Sequence, residues 1–85
     1  MQAERETQAF ADAFGQQVRS LRKSRGLTQL DLAAKMDVTD RLIQRIEAGD
    51  GYTTIKTAYL IAQAFGVSVS ELFAFNPPQA ETPPN

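Results

Sequence analysis

Residues Gln29–Ala48 read QLDLAAKMDVTDRLIQRIEA, and this stretch decides the fold. Leu30, Leu32, Ala33 and Met36 recur at helical spacing, and Leu42, Ile43 and Ile46 do so again after a short break at Asp37 and Val38. Thr28 stands as N-cap of the first segment, with Asp31 three residues on in the place of a weak capping box. Thr39 caps the second segment, which runs to about Ala48 and stops at Gly49. Two helices joined by so tight a turn must cross closely, so a small residue is needed mid-way along the first, and Ala33 is there. The turn needs a residue that tolerates unusual backbone angles, a place for Asp37. Leu32 and Met36 on one side, and Val38, Ile43 and Ile46 on the other, fill the angle between the two helices.

Three more helices are expected around this pair. Phe10, Phe14, Val18 and Leu21 put one apolar face on a helix from about Thr7 to Ser24, ended by Gly26. Thr53 or Thr54 starts a fourth helix with Ile55, Ala58, Tyr59, Ala62 and Phe65 on one face and Gly66 at its end. Ser68 or Ser70 caps a short fifth helix holding Leu72 and Phe73. Phe10, Phe14, Phe65 and Phe73 are expected in the core. No segment alternates as a strand. The sequence predicts an all-α, five-helix domain over 7–75, a flexible N-terminus over 1–6, and a disordered tail over 76–85 that holds all four prolines.

Composition narrows the function. There is no Cys and no His, which removes thiolate sites, disulfides, the commonest general base and the commonest transition-metal ligand. The carboxylates are scattered singly, and no Gly-rich phosphate loop follows a strand. No catalytic residue, cofactor or metal is expected, and an enzyme is the weakest reading. No apolar run approaches a membrane span and no signal-peptide pattern opens the chain, so a cytoplasmic protein without membrane attachment is expected. The net charge is −1, but it is unevenly placed. Gln16 to Lys56 holds eight basic and five acidic residues, while each flank is net negative. A locally basic middle is what meets phosphate, whatever the total.

The run LRKSRGLTQLDLAAKMDVTDRLIQRIEAG, followed by AYLIAQAFGVSVSELF, resembles the Xre/Cro/cI phage-repressor family. The resemblance spans about Val18 to Phe73 and is most specific in RGLTQ, LAAKM-x-V, RIEAG and AFGVSVSELF. It implies a helix-turn-helix domain whose third helix enters the major groove of double-stranded DNA, usually as a symmetric homodimer. It implies that Gln29 contacts the DNA backbone and braces the third helix, and that Arg22 pairs with Glu47 as a structural ion pair. It also implies a dimer contact on the fifth helix, with Leu72 and Phe75 as candidates. The chain departs from the family at Asp37, where a glycine is usual, and in the loop Asp50–Thr53, where a proline often follows a basic segment. That loop implies a weaker hold on phosphate, with the Tyr52 hydroxyl as a candidate replacement contact.

The third helix turns Asp40, Arg41, Gln44 and Arg45 away from Ile43 and Ile46. Arginine can reach guanine O6 and N7 with two hydrogen bonds, and glutamine can do the same for adenine. These four are the candidate base readers, although an acid in the first turn, Asp40, also has a sufficient role against the helix dipole. Leu42 either meets a thymine methyl or packs inward. Thr28, Gln29 and Thr39 are candidate backbone contacts through side chains and helix-start amides. Arg19, Lys23, Arg25 and Lys35 are candidate phosphate contacts by charge. The expected function is a sequence-specific transcriptional regulator, with repression the favoured mode. The low pI of about 5.2, Asp40, Leu42 and the weakly charged loop keep a second reading open. In that reading the domain is a protein-interaction module, or an antitoxin that binds a protein partner and holds DNA weakly.

Overall fold

The computed structural model describes residues 2–51 and 53–75. The Tyr52 assignment and the tail over 76–85 lie outside the described residues. Five helices follow in order: α1 (Gln2–Ser24), α2 (Gln29–Met36), α3 (Asp40–Glu47), α4 (Ile55–Phe65) and α5 (Val69–Leu72). No strand occurs among the described residues, and no helix among them is long and apolar enough to cross a membrane.

Four helices begin on a side-chain cap. Thr28, Thr39, Thr54 and Ser68 each accept a hydrogen bond from the backbone N–H three residues on. Thr28–Asp31 and Ser68–Glu71 are reciprocal capping boxes, in which the third residue's carboxylate also accepts from the cap's own N–H. The Asp31 carboxyl is held below the usual carboxylate range, first by the Thr28 backbone N–H and then by the Thr28 hydroxyl.

Helix ends share one device. Leu27 N–H bonds to the Arg22 carbonyl, Val38 to Ala33, Asp50 to Arg45 and Val67 to Ala62, each five residues back. This is the Schellman closure, which also brings together the two side chains of the bonded residues. At α2 the left-handed residue is Asp37 (φ 57°, ψ 48°), as the turn required.

The core joins all five helices. Val18, Leu32, Ile43, Ile61 and Leu72 are its largest fully buried side chains, and burying each stabilises the fold by about 1.5–3 kcal/mol. Ala33 is buried at the crossing of α2 and α3. Leu42 is half-buried against the core, so of its two expected roles the inward one is observed.

Several apolar assignments change. Phe14 and Phe65 are in the core, but Phe10 is 44% exposed and Phe73 37% exposed. Both belong to an aromatic cluster at the edge, where Phe73 stacks on Phe14 at 4.9 Å and Phe10 meets Phe75 at 5.3 Å. On α4, Ile55 and Tyr59 are exposed and Ile61 is buried. The periodic face read from the sequence was rotated, because Ile55 and Tyr59 fit helical spacing as well as Ile61 does and only packing separates them. Leu30 is also exposed.

α1 starts at Gln2, five residues earlier than the apolar pattern indicates. Its first turns are supported by local polar contacts, Gln2 to Glu6 and the Thr7 hydroxyl to the Ala3 carbonyl, which a hydrophobic period does not register. Further along, Gly15 is buried against α3. A Cβ there would lie 2.5 Å from the Ile46 carbonyl oxygen and 2.8 Å from that of Glu47. The missing side chain therefore sets how closely α1 approaches the end of α3.

Candidate nucleic-acid interface

α3 is fixed by its inner edge and by its last turn. Ile43 and Ile46 are buried. Glu47 is the hub of the last turn: its Oε2 accepts from Arg22 Nε at 2.7 Å, and its Oε1 accepts from Arg22 Nη2 at 3.0 Å and from Gln29 Nε2 at 3.1 Å. The remaining terminal nitrogen of Arg22, Nη1, donates to the Leu27 carbonyl at 2.8 Å. The two side chains of the ion pair are only 9% and 3% exposed. This hydrogen bond to Glu47 holds the Arg22 guanidinium further above its already high ordinary pKa, against the opposing effect of burial. One buried carboxylate thus ties α1, the start of α2 and the end of α3 together. Both the Arg22–Glu47 pair and the bracing contact of Gln29 are present.

The outer edge of α3 is open. Arg41, Gln44 and Arg45 are exposed and Asp40 is half-exposed. Gln44 Nε2 lies 3.5 Å from Asp40 Oδ2, a long contact one turn apart. Arg41 has no ion-pair partner among the described residues. Arg45 Nε donates to Asp50 Oδ2 at 2.9 Å, yet the Arg45 side chain remains 56% exposed. Sequence reasoning treated Asp50 only as part of a weakly charged loop. The signal was there in the RIEAGD run: with Gly49 as the left-handed residue (φ 83°), the closure pairs positions 45 and 50.

The candidate backbone contacts divide. Thr28 and Thr39 each accept one capping bond at the hydroxyl; the Thr39 O–H remains a donor, while that of Thr28 faces the Asp31 carboxylate. Arg19, Lys23 and Lys35 are exposed. Arg25 is exposed but committed elsewhere: its Nε donates to the Phe65 carbonyl at 3.0 Å and its guanidinium lies 5.3 Å from the centre of the Phe65 ring. It ties the end of α1 to the end of α4, so its charge has a sufficient structural use. Of the two dimer candidates, Leu72 is fully buried in the core, because the short α5 turns it inward against α4, and it cannot serve. Phe75 is half-buried in the aromatic cluster.

The exposed large apolar residues other than Leu30 gather in a different place. Phe10, Ile55, Tyr59, Val69 and Phe73 line one open cleft of about 640 Å³ between the first half of α1, the start of α4, and α5. Ile55 is 92% exposed and Tyr59 53%.

Two capped helices crossing at a small residue, with the second held out by its aliphatic edge, define a helix-turn-helix protein. The helix-turn-helix family model matches residues 18–72, about two-thirds of the chain, and the chain belongs to this family, of the Xre/Cro/cI-like kind. It is 38% identical over 63 residues to an uncharacterized HTH-type transcriptional regulator of Sinorhizobium fredii, covering 74% of this chain and 78% of that protein. It is 41% identical over 49 residues to one from Methanocaldococcus jannaschii (58% and 74%), and 34% identical over 59 residues to one from Archaeoglobus fulgidus (69% and 84%). No solved structure matches at the stringency these relatives meet. The family is one of DNA-binding transcriptional regulators.

Proposed function

We propose that the protein binds double-stranded DNA sequence-specifically as a symmetric dimer, with α3 of each copy in the major groove. One observation carries this reading: α3 buries Ile43 and Ile46 while its opposite edge exposes two arginines and a glutamine, the side chains best able to read guanine and adenine. Arg41, Gln44 and Arg45 are the base readers. Asp40 serves the positive end of α3 and at a base edge can only accept, as from cytosine N4. Thr28, Thr39, Arg19, Lys23 and Lys35 hold phosphate. The simplest consequence of an occupied operator is exclusion of other proteins from the same DNA, so we assign repression.

The dimer face in this proposal is the cleft of Phe10, Ile55, Tyr59, Val69 and Phe73, and its occupant is a second copy. An eight-residue helix can read only a few base pairs, so operator recognition calls for two, and large exposed apolar patches mark such interfaces. The same cleft favours the competing reading, a module that docks a different protein.

Selection from random duplexes tests the function. The expected product is a palindrome with half-sites about 34 Å apart or a near variant, bound with a salt slope of about −0.9 per phosphate neutralised. A pool that stays random, with affinity flat in salt, overturns the proposal. Ile55→Asp tests the dimer: the fold should be unaffected within about 0.5 kcal/mol, while sedimentation shows a monomer that no longer prefers a full palindrome over a half-site. A variant that remains dimeric refutes the assigned face.

A further inference from the structure

We propose that Asp50 is a positioning residue for Arg45: it fixes the guanidinium so that the terminal nitrogens point outward, and so sets the base preference at one operator position. The inference rests on the base-reading role given to α3 above.

The geometry is specific. Arginine can present two parallel N–H donors to guanine along either of two edges, Nε with one terminal nitrogen or both terminal nitrogens together. Asp50 Oδ2 occupies Nε at 2.9 Å. The edge left for DNA is the end-on pair, Nη1 and Nη2. Asp50 is itself well anchored. Its backbone N–H bonds to the Arg45 carbonyl at 3.0 Å, and the preceding carbonyl, of Gly49, accepts from Gln8 Nε2 of α1 at 2.8 Å. The flexible arginine is therefore tied to a loop pinned from both sides, which removes rotamer freedom before DNA arrives.

Stability does not account for this pair. The other three helix closures place Leu27, Val38 and Val67 at the position of Asp50, and each packs against the core. At α3 the same position carries a charge, and its Oδ1 is buried with no hydrogen-bond partner among the described residues. A buried unsatisfied carboxylate oxygen is costly and an exposed ion pair returns little. A carboxylate beside a DNA-facing surface also repels phosphate. The arrangement gives up stability and general affinity for a fixed arginine.

The test compares Asp50→Ala, Asp50→Asn and Arg45→Ala with the parent, by measuring affinity for every single-base variant of the selected operator. Arg45→Ala identifies the position Arg45 reads. Asp50→Ala is expected to reduce discrimination at that same position by at least about fivefold, the lower edge for a good bidentate pair, and to add nothing in the Arg45→Ala background. Asp50→Asn keeps an acceptor for Nε and should retain most of the discrimination. Both Asp50 variants should bind random DNA more tightly. If they do so with base preferences unchanged, Asp50 acts by charge alone and the proposal fails. A reading without DNA is the mobility of the Arg45 Nε–H by NMR relaxation, which should be restricted in the parent and free in Asp50→Ala; equal mobility overturns the proposal. A parent with no base preference sinks the reading of α3, and this inference with it.

Discussion

Two arginine–carboxylate pairs flank the last turn of α3, and they differ in almost everything but chemistry. Arg22 and Glu47 meet in the interior, at 9% and 3% exposure, with every guanidinium nitrogen and both carboxylate oxygens engaged by one another, by Gln29 or by the Leu27 carbonyl. Arg45 and Asp50 meet at the surface, at 56% and 24% exposure, through a single bond that leaves the arginine's outer edge open. An inner pair whose every polar atom is bonded inside the fold can only hold the helix in place. An outer pair that is half satisfied is free to be spent on a ligand. The difference shows how one helix end can be both rigidly mounted and chemically available.

The comparison is broken most directly from the inside. Glu47→Ala leaves Arg22 charged and buried, and should cost about 3–5 kcal/mol by denaturant unfolding; a loss below 1 kcal/mol would mean the pin is not what mounts α3. Gly15→Ala attacks the same mount through the backbone. A helix interior normally favours alanine over glycine by about 0.5–1 kcal/mol, yet here the new methyl meets the Ile46 carbonyl at 2.5 Å. The expected net result is a destabilisation of about 1–3 kcal/mol, and a more stable variant would show that α1 can shift freely.

On the outer side the effects should move from stability to binding. Arg41→Ala should cost about 1–3 kcal/mol in operator binding and relax one base position, with a melting temperature like that of the parent. Titration of binding against all base variants checks it, and a uniform loss across sequences would make Arg41 a phosphate contact instead. Thr28→Ala removes the cap of α2 and should cost about 1 kcal/mol of stability. The same cap gives a pH signature. Because the Asp31 carboxyl is depressed in the folded state, its contribution is present above its unfolded pKa and is lost as pH falls through the lower folded value. Stability measured from neutral into acid should show that loss in the parent and a weaker one in Thr28→Ala. Asp50→Ala should be the smallest, within about 0–1 kcal/mol in stability, although it changes base preference.

Much of this was legible in the residues. Caps, stops and the tight crossing were local chemistry: Thr28 with Asp31, Thr39, the left-handed Asp37 and the small Ala33 all stand where the sequence reading put them. So do the inner pair and the exposed edge of α3, since an eight-residue amphipathic helix leaves few choices about which side faces in. The misreadings were of another kind. Phe10, Phe73, Ile55 and Tyr59 are apolar and helically spaced, but so are their buried neighbours, and a one-dimensional pattern cannot say which of two adjacent stripes meets the body of the protein. The resemblance makes Leu72 a dimer candidate, and nothing in a four-residue helix indicates the rotation that buries it. The contacts Gln8–Gly49 and Arg25–Phe65 are not legible in the sequence, because polar side chains carry no periodic signal and both contacts join distant parts of the chain.

The sequence by itself determined where α2 and α3 begin, where the first four helices end and which edge of α3 is polar, because caps, closures and amphipathic spacing act within a few residues. Only the tertiary structure decided which apolar stripe is core and which forms the open cleft, and how closely α1 lies on α3 at Gly15. Those depend on the orientation of packed elements, and orientation is settled by mutual burial and not by any one segment.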